Sequence, residues 1–163
     1  MYYTEMKMPS KTNAMRILDS LGIRYETLSY PVSDEHIDAV AMAKSLGVDP
    51  DFVWKTLVAH DERNNPLVFC IPGPAELNLK KAAKAAGVKK IELVSLRDLT
   101  PLTGYVRGGC SPLGMKKHFP TWLDEIISTF ERIYVNAGIR GMQIQLDPAD
   151  LIRAVNANVA DVT

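Results

Sequence analysis

The chain has 163 residues, and its 19 lysines and arginines balance 19 aspartates and glutamates, a size that can bury one core without disulfide or metal staples. Zero formal net charge excludes the global basic field of strongly cationic nucleic-acid binders, so any RNA contact has to come from a local patch. Two cysteines, no charged-plus-apolar leader and no apolar run approaching the ~20 residues of a membrane helix describe one cytoplasmic domain over residues 1–163, with residues 1–9 as a flexible lead-in.

Ser10 or Thr12 can cap a first helix whose apolar positions Ala14, Ile17, Leu18 and Leu21 repeat at helical spacing, and Gly22 ends it. Ile23 to Ser29 alternates Ile23, Tyr25 and Thr27 with Arg24 and Glu26, the pattern of a strand with one wet face, closed by Tyr30-Pro31. Ser33-Asp34-Glu35-His36 reads as a helix start; Ala39, Val40, Ala43 and Leu46 form its apolar face, and Gly47 stops it. Asp49-Pro50 opens a short turn that aims Lys55. Thr56–His60 and Leu67–Ile71 form a central antiparallel hairpin across the turn-rich 61–66 segment.

Leu79 to Ala86 is a helix of lysine and alanine ended by Gly87, Ile91–Val94 a strand, and Ser95 the cap of a short helix before Gly104. Strands are expected at 121–127, 131–136 and 142–146, with a turn over 137–141; Asp147-Pro148 then caps a last helix carrying Leu151, Ile152 and Val155. Strands mixed with helices, lacking a regular βαβ repeat, define an α+β domain.

One stretch resists a packing explanation: Arg107-Gly108-Gly109-Cys110-Ser111-Pro112-Leu113-Gly114-Met115-Lys116-Lys117. Gly108-Gly109 can turn consecutive N–H groups toward one anion or oxyanion, while Ser111 adds a hydroxyl, Pro112 stiffens the turn and Gly114 permits a second reversal. A plain glycine-rich turn is the competing reading. Lys55 either lets a buried stem snorkel to solvent or serves a site; Tyr30 either walls a pocket or edges the core. Cys110 has no histidine in a related context to activate it as a nucleophile; no histidine has a ligand partner three or four residues away, so no metal is expected, and neither GxxxxGK(S/T) nor GxGxxG occurs, so no nucleotide cofactor is expected. Lys80, Lys81, Lys84, Lys89 and Lys90 form a positive cluster, a solvated helix face or a footprint for RNA.

Gly108-Gly109-Cys110-Ser111-Pro112-Leu113-Gly114, Val53-Trp54-Lys55-Thr56-Leu57 and Ile133-Tyr134-Val135-Asn136-Ala137-Gly138-Ile139-Arg140-Gly141 occur in the order in which they stand in the YbaK/EbsC family of trans-acting aminoacyl-tRNA deacylases, which this chain resembles from about Thr12 to Ala160. The resemblance implies a mixed, mostly antiparallel, barrel-like sheet surrounded by helices. It also implies Lys55, Gly108 and Gly109 as catalytic groups, and Tyr30, Thr56, Ser111, Pro112, Gly114, Asn136, Gly138, Arg140 and Gln143 as substrate contacts. Gln143 stands where cysteine-specific relatives carry an acid and Asn136 where they carry serine. The implied activity is hydrolysis of misacylated aminoacyl-tRNA in trans, first of all Cys-tRNA(Pro), the thiol of the misattached cysteine attacking its own ester. The partners would be the tRNA 3′ acceptor end and prolyl-tRNA synthetase. Deacylation of another mischarged tRNA such as Ala-tRNA(Pro), and a non-catalytic module that binds tRNA or the synthetase, are the rival readings.

Overall fold

The computed structural model describes residues 11–32 and 39–163; the expected lead-in and the helix start at Ser33–His36 lie outside the described residues. Thr12 caps α1 (Asn13–Ser20) by accepting from the Met15 N–H, and Ala14, Met15 and Leu18 are its buried face. β1 (Tyr25–Ser29) and α2 (Ala39–Leu46) follow. Asp49 then caps a 3₁₀ turn, Pro50–Phe52, that delivers the chain into β2 (Trp54–Asp61), as the Asp-Pro pair predicts.

β2 and β3 (Pro66–Pro72) are the expected antiparallel hairpin, with Lys55 opposite Ile71 and Thr56 opposite Cys70. α3 (Leu79–Ala86) begins on the Asn78 side chain and ends on a left-handed Gly87. β4 (Ile91–Leu93), α4 (Leu96–Thr103), β5 (Thr121–Asp124), β6 (Ile133–Asn136), β7 (Met142–Leu146), α5 (Pro148–Val155) and β8 (Asn158–Ala160) complete the α+β domain.

Two expectations need correction. Residues 125–129 form a 3₁₀ helix rather than extending β5, because the buried Asp124 carboxylate accepts from the Ile126 N–H and starts a turn. The barrel-like sheet is also two open sheets: β1-β7-β6, wholly antiparallel, and β4-β2-β3-β5-β8, in which β3–β5 and β5–β8 are parallel. They meet at a single parallel bridge between Val53 and Tyr134.

That junction positions the site. One face of the small sheet presents Val135, Ile144 and Leu146 to a core shared with α1 and α5. The other carries Asn136 opposite Gln143, and Leu28 opposite Gln143 on its other side, and Tyr30 and Tyr134 there pack under Met42 and Ala43 of α2. Serving both faces is why β1 departs from simple alternation: Ile23 turns to one cluster and Leu28 and Tyr30 to the other, leaving Thr27 exposed.

Gly73 closes this corner. Its N–H donates to the Val53 carbonyl at 2.7 Å, and a Cβ there would lie 2.7 Å from Ala39 Cβ and 2.8 Å from the Val53 oxygen. Gly73→Ala is expected to cost roughly 1–3 kcal/mol of stability by forcing backbone apart, read as a lower urea midpoint at an unchanged slope.

Candidate active site

A cleft of about 340 Å³ opens beside the junction of the two sheets, lined by Ala39 and Met42 of α2, Val53, Trp54 to Leu57 of β2, Arg107, Gly108 and Cys110 of the glycine loop, and Asn136 and Gln143. Of the residues expected at a site it gathers Lys55, Thr56, Gly108, Asn136 and Gln143. The lining also includes Arg107, Cys110, Trp54 and an apolar wall, none of which the sequence marks as a substrate contact.

The glycine loop is a turn with a specific fold. The Gly109 N–H donates to the Val106 carbonyl at 2.9 Å, and Gly108 has φ +82° while Arg107 is not in the left-handed region; this is a type II turn, whose third position demands positive φ. Gly109's N–H is therefore committed inside the turn, and the expected pair of converging glycine donors is corrected to Gly108 alone. The Gly108 N–H, at the cleft wall, has no acceptor among the described residues. Gly109 is glycine for another reason: a Cβ would stand 3.1 Å from the Arg140 nitrogen and 3.2 Å from the Ile139 carbonyl carbon.

Asn136 ties this turn to the next loop. Its side-chain N–H donates to the Gly108 carbonyl at 2.9 Å and its Oδ1 accepts from the Gly138 N–H at 2.6 Å. The other expected contacts lie outside the described lining of this cleft. Ser111 is buried, its hydroxyl accepting from the Leu113 N–H. Gly114 and Gly138, at φ +77° and +101°, press against the Tyr105 ring and hydroxyl, and that hydroxyl donates to the Leu113 carbonyl. Pro112 faces a separate hollow of about 130 Å³ beside α1 and α5. Tyr30 is buried behind Met42 and Val53. Arg140 lies over Gly108, its Nε 3.5 Å from where a Gly108 Cβ would be.

Tyr105, which no sequence motif singles out, is the pin of these loops. None of the clustered lysines is among the lining residues; Lys81 pairs with Asp161 at 3.0 Å and Lys90 with Glu92 at 2.8 Å.

Two buried polar atoms lack a partner among the described residues: Trp54 Nε1 and Gln143 Oε1. Both belong to cleft-lining side chains. A buried donor and a buried acceptor left unpaired each cost about 1–3 kcal/mol unless something supplies the missing bond, and the Asn136–Gln143 pairing puts the amide beside the loop clamp. The described lining contains no carboxylate and no histidine. Burial, with a smaller contribution from nearby Cys70, pushes the Cys110 thiol up to about 12, which keeps it un-ionised and poorly nucleophilic.

The aminoacyl-tRNA editing domain matches residues 35–154. The chain belongs to that family. A protein of Enterococcus faecalis, EbsC, whose name is a candidate assignment as Cys-tRNA(Pro)/Cys-tRNA(Cys) deacylase, is 45% identical over 157 residues, 96% of each chain. A proline–tRNA ligase of Shouchella clausii is 32% identical over 99 residues, 61% of this chain but 17% of the ligase. Among solved structures, a candidate trans-editing enzyme for prolyl-tRNA synthetase superposes with a TM-score of 0.80 at 24% identity, covering 94% of this chain and 99% of that one; at that identity it supports the fold.

As an editing domain the protein is a hydrolytic aminoacyl-tRNA deacylase, and tRNA is its macromolecular substrate. No helix among the described residues is long and apolar enough to cross a membrane.

Both thiols are held above their ordinary 9.0, each to about 12 and each chiefly by burial. The folded state thus binds these protons more tightly than the unfolded chain; the resulting stability is fully present below pH 9 and drains away as pH rises toward 12. Iodoacetamide at pH 8 should alkylate Cys110 about a hundredfold or more slowly in the folded protein than in the urea-unfolded chain, as mass spectrometry would read. Rapid labelling of the folded protein would show an ionised, available thiol.

Proposed function

We propose that the protein hydrolyses misacylated tRNA in trans in the cytoplasm, with Cys-tRNA(Pro) as its substrate and the substrate's own thiol as nucleophile. The observation that carries this reading is the cleft itself: it offers a cation, backbone and amide dipoles and apolar walls, while its only thiol is protonated and its described lining holds no base. The name of the 45% identical relative supports the choice of cysteine and tRNA(Pro), and the ligase match supports prolyl-tRNA synthetase as the partner that makes the error.

The step balances within the substrate. The cysteinyl sulfur attacks its own ester carbonyl, closing a four-membered thiolactone; the carbon–oxygen bond to the terminal ribose breaks, the ribose oxygen takes up a proton, and water then opens the thiolactone to cysteine. The Gly108 N–H is the oxyanion donor, a contribution of roughly 3–4 kcal/mol where a single such donor has been removed from other enzymes. Gln143 Oε1 accepts from the α-ammonium, satisfying its buried oxygen. Lys55, positive itself, serves the ester carbonyl or the ribose end rather than that ammonium.

Lys55→Ala should lower deacylation at least ~100-fold with the fold intact, measured by single-turnover release of labelled amino acid alongside circular dichroism. Near-parental turnover in a folded variant removes Lys55 from the reaction.

Esters that differ at one atom test the nucleophile. On the same tRNA, cysteinyl should react much faster than seryl, whose hydroxyl has far less anionic character near pH 7, and alanyl should be slower still. Equal rates would mean that water is activated by the protein and would favour the broader reading in which Ala-tRNA(Pro) is also a substrate, consistent with a neutral Gln143 in place of an acid.

A further inference from the structure

We infer that Arg107 and Arg140 form a phosphate clamp at the mouth of the cleft, holding the phosphodiester backbone of the tRNA's single-stranded 3′ end so that the ester enters against Lys55 and Gly108. The inference rests on the deacylase reading for the identity of the ester, but the clamp itself is a binding site for RNA phosphate.

The chain as a whole has no net charge, and its densest lysine cluster does not border the cleft. The mouth is different. Arg107 lines it, Lys55 lines it, and no described lining residue is acidic. Arg140 reaches the same point from another loop, its side chain running along Gly108 with Nε, Cγ and Cδ 3.5, 3.7 and 3.9 Å from where a Cβ would sit. Both arginines are exposed, and the two loops cannot drift apart, because Gly109 packs against the Ile139–Arg140 backbone and Asn136 bonds to both. Each arginine also has an interaction within the chain.

Arg107 occupies the second position of the type II turn, which most residues tolerate, and it is exposed. Guanidinium is suited to a phosphodiester, since its planar fork meets two oxygens at once. The exposed side chains of Val106 and Ile139 flank the pair on the same two loops, giving the apolar surface on which a splayed terminal base can rest. A carboxylate ligand would find the charge but not the extended second contact that two guanidiniums on separate loops provide.

The test uses the full-length protein with two readouts. First, an uncharged single-stranded RNA ending in CCA is titrated by fluorescence anisotropy against wild type, Arg107→Ala, Arg140→Ala and the corresponding lysine variants over a range of salt. Each alanine variant should bind about tenfold more weakly, and the slope of log affinity against log salt should shrink by roughly 0.7 per lost contact, while lysine restores the slope. Unchanged affinity and slope in folded alanine variants overturn the clamp. Second, KM and kcat are measured on cysteinyl-tRNA, where the loss should fall mainly on KM; a loss confined to kcat with normal RNA binding also overturns it. Wild-type protein that binds the RNA through both arginines yet hydrolyses no mischarged tRNA would leave the clamp standing and reject the deacylase substrate instead.

Discussion

The geometry of the cleft depends on one carboxamide. Asn136 is the last residue of β6, held in register opposite Gln143, and its two polar ends reach the Gly108 carbonyl and the Gly138 N–H. A strand end is rigid and loops are not, so these two bonds transfer the precision of the sheet to both glycine turns. They also fix the polar groups of the turn: the Gly108 carbonyl is held by Asn136 and the Gly109 N–H by Val106, and the Gly108 N–H has no acceptor among the described residues. Tyr105 repeats the device one layer out, wedged against Gly114 and Gly138 with its hydroxyl on Leu113.

Within that frame the electrostatics are simple. Ala39, Met42, Val53, Trp54 and Leu57 make much of the wall apolar, so the few dipoles and charges there act through a lower effective dielectric than the same groups in water. Half-buried Lys55 sits at the start of β2 because the Asp49-Pro50 turn forces the chain straight into the strand, and that strand is fixed on both sides, by β3 and by the Val53–Tyr134 bridge. Catalysis in such a site is positioning plus stabilisation of charge.

Much of this was legible from residues. Capped helices such as α3 and α5 carry their boundaries in Asn78, Gly87 and Asp147-Pro148, and the β2–β3 hairpin follows from two apolar runs around a turn. Lys55, Thr56, Gly108, Asn136 and Gln143 were expected at a site and do meet at one cleft. What could not be read were long-range choices. β8 is three residues long and exists because β5 offers it a parallel edge, a pairing no local pattern encodes. Ser111 and Gly114 stand in the glycine motif, and only the structure shows that the Ser111 hydroxyl accepts from the Leu113 N–H and that Gly114 packs against Tyr105. Arg107 and Arg140 are far apart in sequence, and the packing of Gly108 and Gly109 against Ile139 and Arg140 reveals them as neighbours.

A nucleophile carried by the substrate also resolves a difficulty of selectivity. A pocket that distinguishes small amino acids by fit alone gains only about 1–3 kcal/mol per methylene, and a cleft of about 340 Å³ with apolar walls would admit cysteine, serine, alanine and proline alike. If the reactive group is the side chain being removed, the correct prolyl ester survives because it has no thiol, however well it binds. The protein then has no need of a nucleophile of its own, and an ionised Cys110 at the wall would be a hazard, able to accept the acyl group from any ester that entered. Under the proposed mechanism, burial that holds this thiol in its protonated form adds to the selectivity, because it silences a protein group that could attack without reading the side chain.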